Sequence, residues 1–372
     1  MPPSGPTDGD GYDWLYEDES GRHQPRPAAS GSAVPPPNLP PPGSKGRGPK
    51  GPNGPTGPSG RAGSKQPKER KPRGKWRLLW LLLALWLAFL LIVPIVAWSK
   101  ITKVDATPDS ERPEDDATTW LLVGTDKRPQ DRSRGRTDTI LLLTYGGGGP
   151  SVLTSIPRDS QVDIPGHGRT KVNAAYAFGG PPLLVETLEG ETGLRIDGYT
   201  EIGFTGLQDV VDALGGIEIC PEENIKDKDA RLTITKGCQE VDGKTALAYS
   251  RSRKAFATGD IARGQHQREV IGAIGDAARS PSTVLNPWTY TRVATTAAES
   301  LAVGDEVSLP SFVWFAWKLA RAIGGDGRSC TVPIADLSVQ WDRERAVEYF
   351  GHLKKGTTDQ LGELCTESGM RD

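Results

Sequence analysis

Thr118-Thr119-Trp120-Leu121-Leu122-Val123, Thr139-Ile140-Leu141-Leu142-Leu143-Thr144-Tyr145 and Ser151-Val152-Leu153-Thr154-Ser155 are three strand-length apolar runs in close succession. Aliphatic and β-branched residues dominate them, and Gly146 to Pro150 between the second and third reads as a tight turn. That turn is not a phosphate-binding P-loop, because no Gly-Lys-Ser/Thr follows and no helix starts there. An up-down-up meander sets the end of the first strand, the start of the second and the end of the third along one edge. Those places hold Asp126, the Arg136/Asp138 pair and Arg158, so two carboxylates and two arginines gather at one rim. Singly, each has an ordinary alternative. Asp126 and Asp159 could serve as helix or turn caps, Arg136 as a solvated loop residue, and Asp138–Arg158 as a surface ion pair. The shared rim is what points to a site.

Farther along, helical patterns occupy Asn173–Phe178, Leu183–Leu188 and Phe204–Leu214, the last ending at Gly215-Gly216. Gly216 suits a helix C′ position before a strand at Ile217–Ile219. A strand is expected around Leu232–Thr235 and another near Thr331–Ile334. Helices are expected over Gly264–Ala278, Trp288–Leu301, Leu309–Ile323 and Glu344–Lys354. Strands mixed with helices throughout imply an α/β domain, a central sheet packed between α-helices.

Arg251-Ser252-Arg253, followed by Asp260, Arg263 and Gln267, carries the second chemical signal. In an extended segment, arginines two apart project from one face. Such a pair suits a multiply charged anion, since each guanidinium offers a planar fork of donors to phosphate oxygens. Nearby carboxylates could hold a divalent metal on the same phosphate.

The chain has 372 residues, enough for one or two domains, and a net charge of -2 that argues against a general nucleic-acid binder. Locally the balance is uneven. From Arg61 to Arg77 there are eight Lys or Arg and one acid, Glu69, and the next 21 residues, Leu78 to Trp98, carry no charge. At about 1.5 Å per residue that run spans roughly 30 Å, a bilayer's hydrocarbon core. Trp76 and Trp98 stand at its ends, where indoles favour the headgroups. A cleaved signal peptide is a poor alternative, since the run begins deep in the chain without a small-residue cleavage pattern. The basic flank orients residues 1–77 to the cytoplasm and 99–372 outside.

Residues 1–75 are rich in Pro, Gly and Ser and read as a disordered tail, residues 76–98 as the span and 99–116 as an acidic linker; the folded domain is 117–372. Gly48 to Lys65 parses as Gly-X-Y triplets, but the run is short and Pro occupies X rather than Y. Tyr12-Asp13-Trp14-Leu15-Tyr16 is an aromatic island that is either a docking motif or idle. All four cysteines (Cys220, Cys238, Cys330, Cys365) lie beyond the span, which suggests two disulfides. Nearest-neighbour pairing gives Cys220–Cys238 and Cys330–Cys365.

In order and spacing the motifs resemble the LytR–CpsA–Psr glycopolymer ligases of bacterial envelopes. The matching segments are Leu122-Val123-Gly124-Thr125-Asp126, Gly135-Arg136-Thr137-Asp138-Thr139 and Ser155-Ile156-Pro157-Arg158-Asp159. They continue with Lys171-Val172-Asn173-Ala174-Ala175-Tyr176, Val211-Asp212-Ala213-Leu214-Gly215-Gly216, Ala246 to Arg253, and Asp260-x-x-Arg263. The resemblance implies a Mg2+ (or Mn2+)-dependent phosphotransferase. Its donor would be a polyprenyl-pyrophosphate-linked glycan and its acceptor peptidoglycan, with polyprenyl phosphate released. It further implies that Asp126 and Asp138 hold the metal, that Arg136, Arg158, Arg251 and Arg253 grip the pyrophosphate with help from Lys171 and Gln267, and that Asp260 and Arg263 support them. Family members usually read Asp-x-x-Arg-x-x-Arg-Gln, whereas His266 stands here at the second arginine. His266 is expected on a helix surface. Phe312 to Trp317 reads as core packing, with a slot for the polyprenyl chain as the alternative. Two other functions suit the same residues: hydrolysis of a lipid pyrophosphate, and a non-catalytic wall scaffold or sensor that binds anionic polymer.

Overall fold

This computed structural model describes residues 73–126, 135, 137–252, 260–336 and 339–371. The tail 1–72, Arg136, Arg253 and the side chain of Asp260 lie outside the described residues. The chain begins with α1 (Arg73–Trp98), β1 (Thr102–Val104), β2 (Thr118–Thr125), β3 (Thr137–Tyr145), β4 (Val152–Ser155), β5 (Gln161–Ile164) and β6 (Gly168–Lys171). It continues through α2 (Val172–Thr192), β7 (Ile196–Gly203), α3 (Phe204–Leu214), β8 (Ile217–Ile219), β9 (Ile225–Asp227), β10 (Leu232–Ile234) and β11 (Gln239–Val241). The last part comprises α4 (Gly243–Arg251), α5 (Asp260–Arg279), α6 (Pro281–Val284), α7 (Pro287–Ser300), β12 (Leu301–Gly304), α8 (Leu309–Arg321), β13 (Arg328–Thr331) and α9 (Arg343–Lys354).

Within α1, Trp76–Trp98 is long and apolar enough to cross a membrane. Leu79, Trp80, Leu85, Leu91 and Ile95 are all exposed along it. So large an apolar surface belongs against lipid rather than water.

The expected meander is present: β2 pairs antiparallel with β3, and β3 with β4. Seven strands form the sheet in the order β1-β12-β7-β2-β3-β4-β13. The pairings of β7 on β2 and of β13 on β4 are parallel, so the sheet is mixed. Strand alternation builds a core on each face. Leu121, Val123, Ile140 and Leu142 pack with Leu184 of α2 and Tyr349 and Phe350 of α9. Trp120, Leu141 and Leu143 pack with Phe315 of α8 on the opposite face. A third apolar cluster joins α3, α4 and α5 to the ribbons β8–β11 and β9–β10, through Val211, Ile217, Ile225, Leu232, Tyr249 and Val270.

Several sequence expectations shift. The segment 99–116, expected as a linker, contributes β1 to the sheet beside β12, and its Arg112 pairs with the buried Glu189 at 2.6 Å. The left-handed cap of α3 falls on Gly215 (φ 92°) rather than Gly216. Gly216 N–H then bonds the Val211 carbonyl and Gly215 N–H that of Asp212, which is the Schellman arrangement. The two helical patterns after Lys171 form one element, bent at Gly180, whose φ of 68° precedes Pro181 and Pro182. β13 begins three residues before the expected strand, because parallel pairing to Val152–Ser155 is what buries Cys330. Arg251 is the last residue of a helix, not part of an extended run. Asp242 starts that helix by accepting from Thr245 N–H, a capping signal that sequence reading passed over. Disulfides join Cys220 to Cys238 and Cys330 to Cys365, as expected.

Candidate functional site

The rim forms where the meander places it. Asp126 is exposed just beyond β2, and Asp138 is the second residue of β3. The Arg158 guanidinium, three residues past β4, pairs with the Asp138 carboxylate, and the two side chains are only 20% and 17% exposed. The Asp138 backbone carbonyl accepts from Arg263 of α5 at 3.3 Å, so α5 is clamped to the same strand start. Asp159 takes the role of an organiser. Its carboxylate lies 3.6 Å from Arg158 Nε and 2.8 Å from Lys171 Nζ, which ties Lys171 to a neighbour beside the rim. Backbone bonds from Asn173 to the Arg158 carbonyl and from Val172 to that of Ser160 fasten the α2 N-terminus there too.

Below the rim lies a cavity of about 670 Å³ between the sheet and helices α3, α4, α5, α7 and α8. Asp138, Arg158, Arg251, Arg263 and Gln267 line its polar part. Leu122, Leu141, Leu207, Ile271, Phe312, Phe315 and Leu319 line its apolar part. The lining residues of α5 run from Arg263 to Arg279. At a helical rise of 1.5 Å per residue this makes the cavity a slot roughly 24 Å long, polar at the Arg158 end, mainly aliphatic between, and charged again at Asp276 and Arg279, with Asp227 and Asp229 also in its wall. Arg251 sits at the polar end with its guanidinium 4.9 Å from the Phe204 ring centre. The aromatic stretch of α8 divides between cavity wall and surface. Phe312, Phe315 and Ala316 face the slot, Phe315 also stacks on Trp120 at 4.2 Å, and Trp314 and Trp317 are exposed.

His266 is not on the helix surface as expected. It is buried, with Nδ1 3.1 Å from Ser252 Oγ and its ring 4.2 Å from that of Tyr249. These contacts hold the residue after Arg251 against α5. Burial holds the His266 imidazole below its ordinary value of 6.5. Because the unfolded chain takes up that proton more readily, His266 contributes stability fully above about pH 6.5 and loses it as pH falls toward the lower folded value. Urea titrations at pH 7.5 and 5.5 should therefore show an acid-side loss that shrinks in His266→Gln; an unchanged loss would place its source elsewhere.

Sequence reading missed Glu201. It is buried at the end of β7 and accepts from Tyr176 at 2.8 Å, Tyr199 at 2.7 Å and Thr125 at 3.2 Å. Burial first, then the Glu201 charge, push both phenols up, and the charge of Asp126 also reaches Tyr176. An acid inside the strand-like run Tyr199-Thr200-Glu201-Ile202 was the available signal. Carboxylate oxygens suit a hard divalent cation that keeps waters and substrate phosphates as its remaining ligands. Asp126 and Asp138 are such donors on neighbouring strand ends, and the donor set fits. Glu218 also lies near Cys220 and Cys238, but those thiols are joined in a disulfide.

Fold and rim together define a mixed α/β domain that carries a charged mouth on an apolar slot, next to a membrane-length helix. Residues 96–356 match the LytR_cpsA_psr family model, and the chain belongs to that family. It is 41% identical over 304 residues to the probable cell wall biosynthesis protein LcpB of Corynebacterium glutamicum, covering 76% of this chain and 72% of that one. It is 36% identical to the polyisoprenyl-teichoic acid–peptidoglycan teichoic acid transferase TagT of Bacillus subtilis, over 46% of this chain and 56% of that one. The fold is similar to that of TagT bound to LIIa-WTA, with a TM-score of 0.50 and 26% identity over 67% of this chain and 98% of that one.

Proposed function

We propose that this protein moves a phosphoglycan from a polyprenyl-pyrophosphate carrier to a peptidoglycan hydroxyl and releases polyprenyl phosphate. The slot carries this reading: one cavity offers aliphatic walls to a long lipid and, at one end, arginines to a diphosphate. The names of the related transferases support it. Positive charge ahead of α1 supports a cytoplasmic N-terminus and an outer domain.

In the transfer, the acceptor oxygen forms a bond to the glycan-side phosphorus while that phosphorus loses its bond to the bridging oxygen. The electron pair leaves with polyprenyl phosphate, and the acceptor hydroxyl releases one proton. Such a step asks the protein mainly for positioning and charge neutralisation. Arg158 and Arg251 offer permanent cations to the phosphate oxygens, with Arg263 holding the strand start that carries Asp138. Asp126 and Asp138 would hold Mg2+, which when bound neutralises charge on those oxygens.

Full-length protein in detergent, given lipid-linked oligosaccharide, Mg2+ and peptidoglycan fragments, should yield adduct and polyprenyl phosphate in equal amounts. Asp126→Ala should abolish both. Glycan phosphate without adduct would instead mark a hydrolase, and donor binding without turnover a scaffold.

A further inference from the structure

One face of α1 is not available to lipid. Trp86, Phe89, Leu90, Val93 and Ala97 recur at helical spacing and are partly or fully covered, as are Ala88, Pro94 and Trp98, whereas the other residues of the span are exposed. α7 contributes to that cover. Tyr290 donates its hydroxyl to the Leu90 carbonyl at 2.9 Å, and its ring lies 5.8 Å from that of Phe89. Leu90 is eight residues before Trp98, so Tyr290 stands about 12 Å along the helix from the span's end. That depth is inside the hydrocarbon, not at its surface.

The segment around Tyr290 has the chemistry such a depth requires. Ser280 to Thr291 contains no charged side chain. Leu285 is 66% exposed and Trp288 85% exposed, three residues apart at the α6–α7 corner. Much of the corner's hydrogen bonding closes on itself: Ser280 caps α6, Asn286 Oδ1 accepts from the Trp288 and Thr289 N–H groups, and Leu285 N–H bonds the Pro281 carbonyl. Backbone at membrane depth needs such internal partners. Arg279 and Arg292 bracket the segment, Arg292 turning inward to the Ala213 carbonyl. Water would leave Leu285 and Trp288 as an unexplained apolar knob; lipid explains it.

We propose that the α6–α7 corner is a second membrane element, dipping Leu285 and Trp288 into the leaflet at the Trp98 end of α1. The slot ends beside it, since Asp276 and Arg279 line its far part immediately before Ser280. A lipid tail in the slot then leaves it past the Asp276–Arg279 ion pair, close to the corner that enters the bilayer.

The inference rests on α1 spanning a bilayer, and the test separates the two. A fluorophore on Trp288→Cys or Leu285→Cys in the full-length protein is measured in vesicles, the native cysteines being paired. Probes on Leu83→Cys in α1 and Val347→Cys on α9 serve as references. Nitroxides on the acyl chains should quench both corner probes several-fold more than Val347, approaching Leu83, while aqueous iodide reaches mainly Val347. Corner probes that follow Val347 while Leu83 follows lipid overturn the second element alone. A Leu83 probe open to iodide overturns the span itself.

Discussion

Arg158→Ala is expected to lower glycan transfer by about 100- to 1000-fold, the usual cost of losing one charge-stabilising donor aimed at a transition state. Two effects act together. The variant removes a guanidinium from the slot's mouth, and it leaves the Asp138 carboxylate without its ion-pair partner, facing the incoming diphosphate. Arg158→Lys should recover only part of the loss, because an ammonium keeps the charge but not the planar fork. Stability should also fall. The two side chains are only 20% and 17% exposed, so the variant leaves the Asp138 carboxylate mostly buried and unpaired, a loss of about 1–3 kcal/mol. Transfer assays with purified variants read the first effect and thermal denaturation the second. Near-parental transfer in Arg158→Ala would remove the rim from the chemistry.

The largest expected effect on stability belongs to Trp120→Ala. Trp120 is 2% exposed, stacks on Phe315 and lies on the bare backbone of Gly198 in β7, where an added Cβ would come within 2.4 Å of the indole. Truncation empties a space bounded by strand and helix, neither of which collapses easily, so the loss should be about 3–5 kcal/mol in urea unfolding. Trp120→Phe should cost far less. A loss below about 1 kcal/mol for Trp120→Ala would mean that α8 is not pinned to the sheet through this residue.

What the sequence made legible follows from local chemistry. The meander could be read because β2, β3 and β4 are consecutive, apolar and buried on both faces, so the rim followed from chain direction alone. β7 was hidden although it lies between β2 and β12 in the sheet. Asp197, Gly198 and Glu201 dilute its apolar run, and each has a reason visible only in three dimensions: Asp197 accepts from the Thr119 N–H, Gly198 makes room for Trp120, and Glu201 gathers two tyrosines. The Arg251 segment was misread for a similar reason. Arg-x-Arg spacing is blind to whether a helix has just ended, and Asp242 and His266 decide that question from outside the motif. The ion pair of Lys171 with Asp159 was equally out of reach, because no spacing argument reveals which neighbour an exposed lysine finds.

Only Ser99, Lys100 and Ile101 separate α1 from β1, and β1 is already part of the sheet. Stretched fully, three residues reach about 10 Å, a leash too short to let the domain rise or sweep. The short tether thus limits how far the domain, and with it the mouth of the slot, can move relative to α1. On the transfer reaction proposed above, the acceptor then has to reach a mouth with little freedom to travel, which favours wall strands still close to their site of synthesis over those already in outer layers.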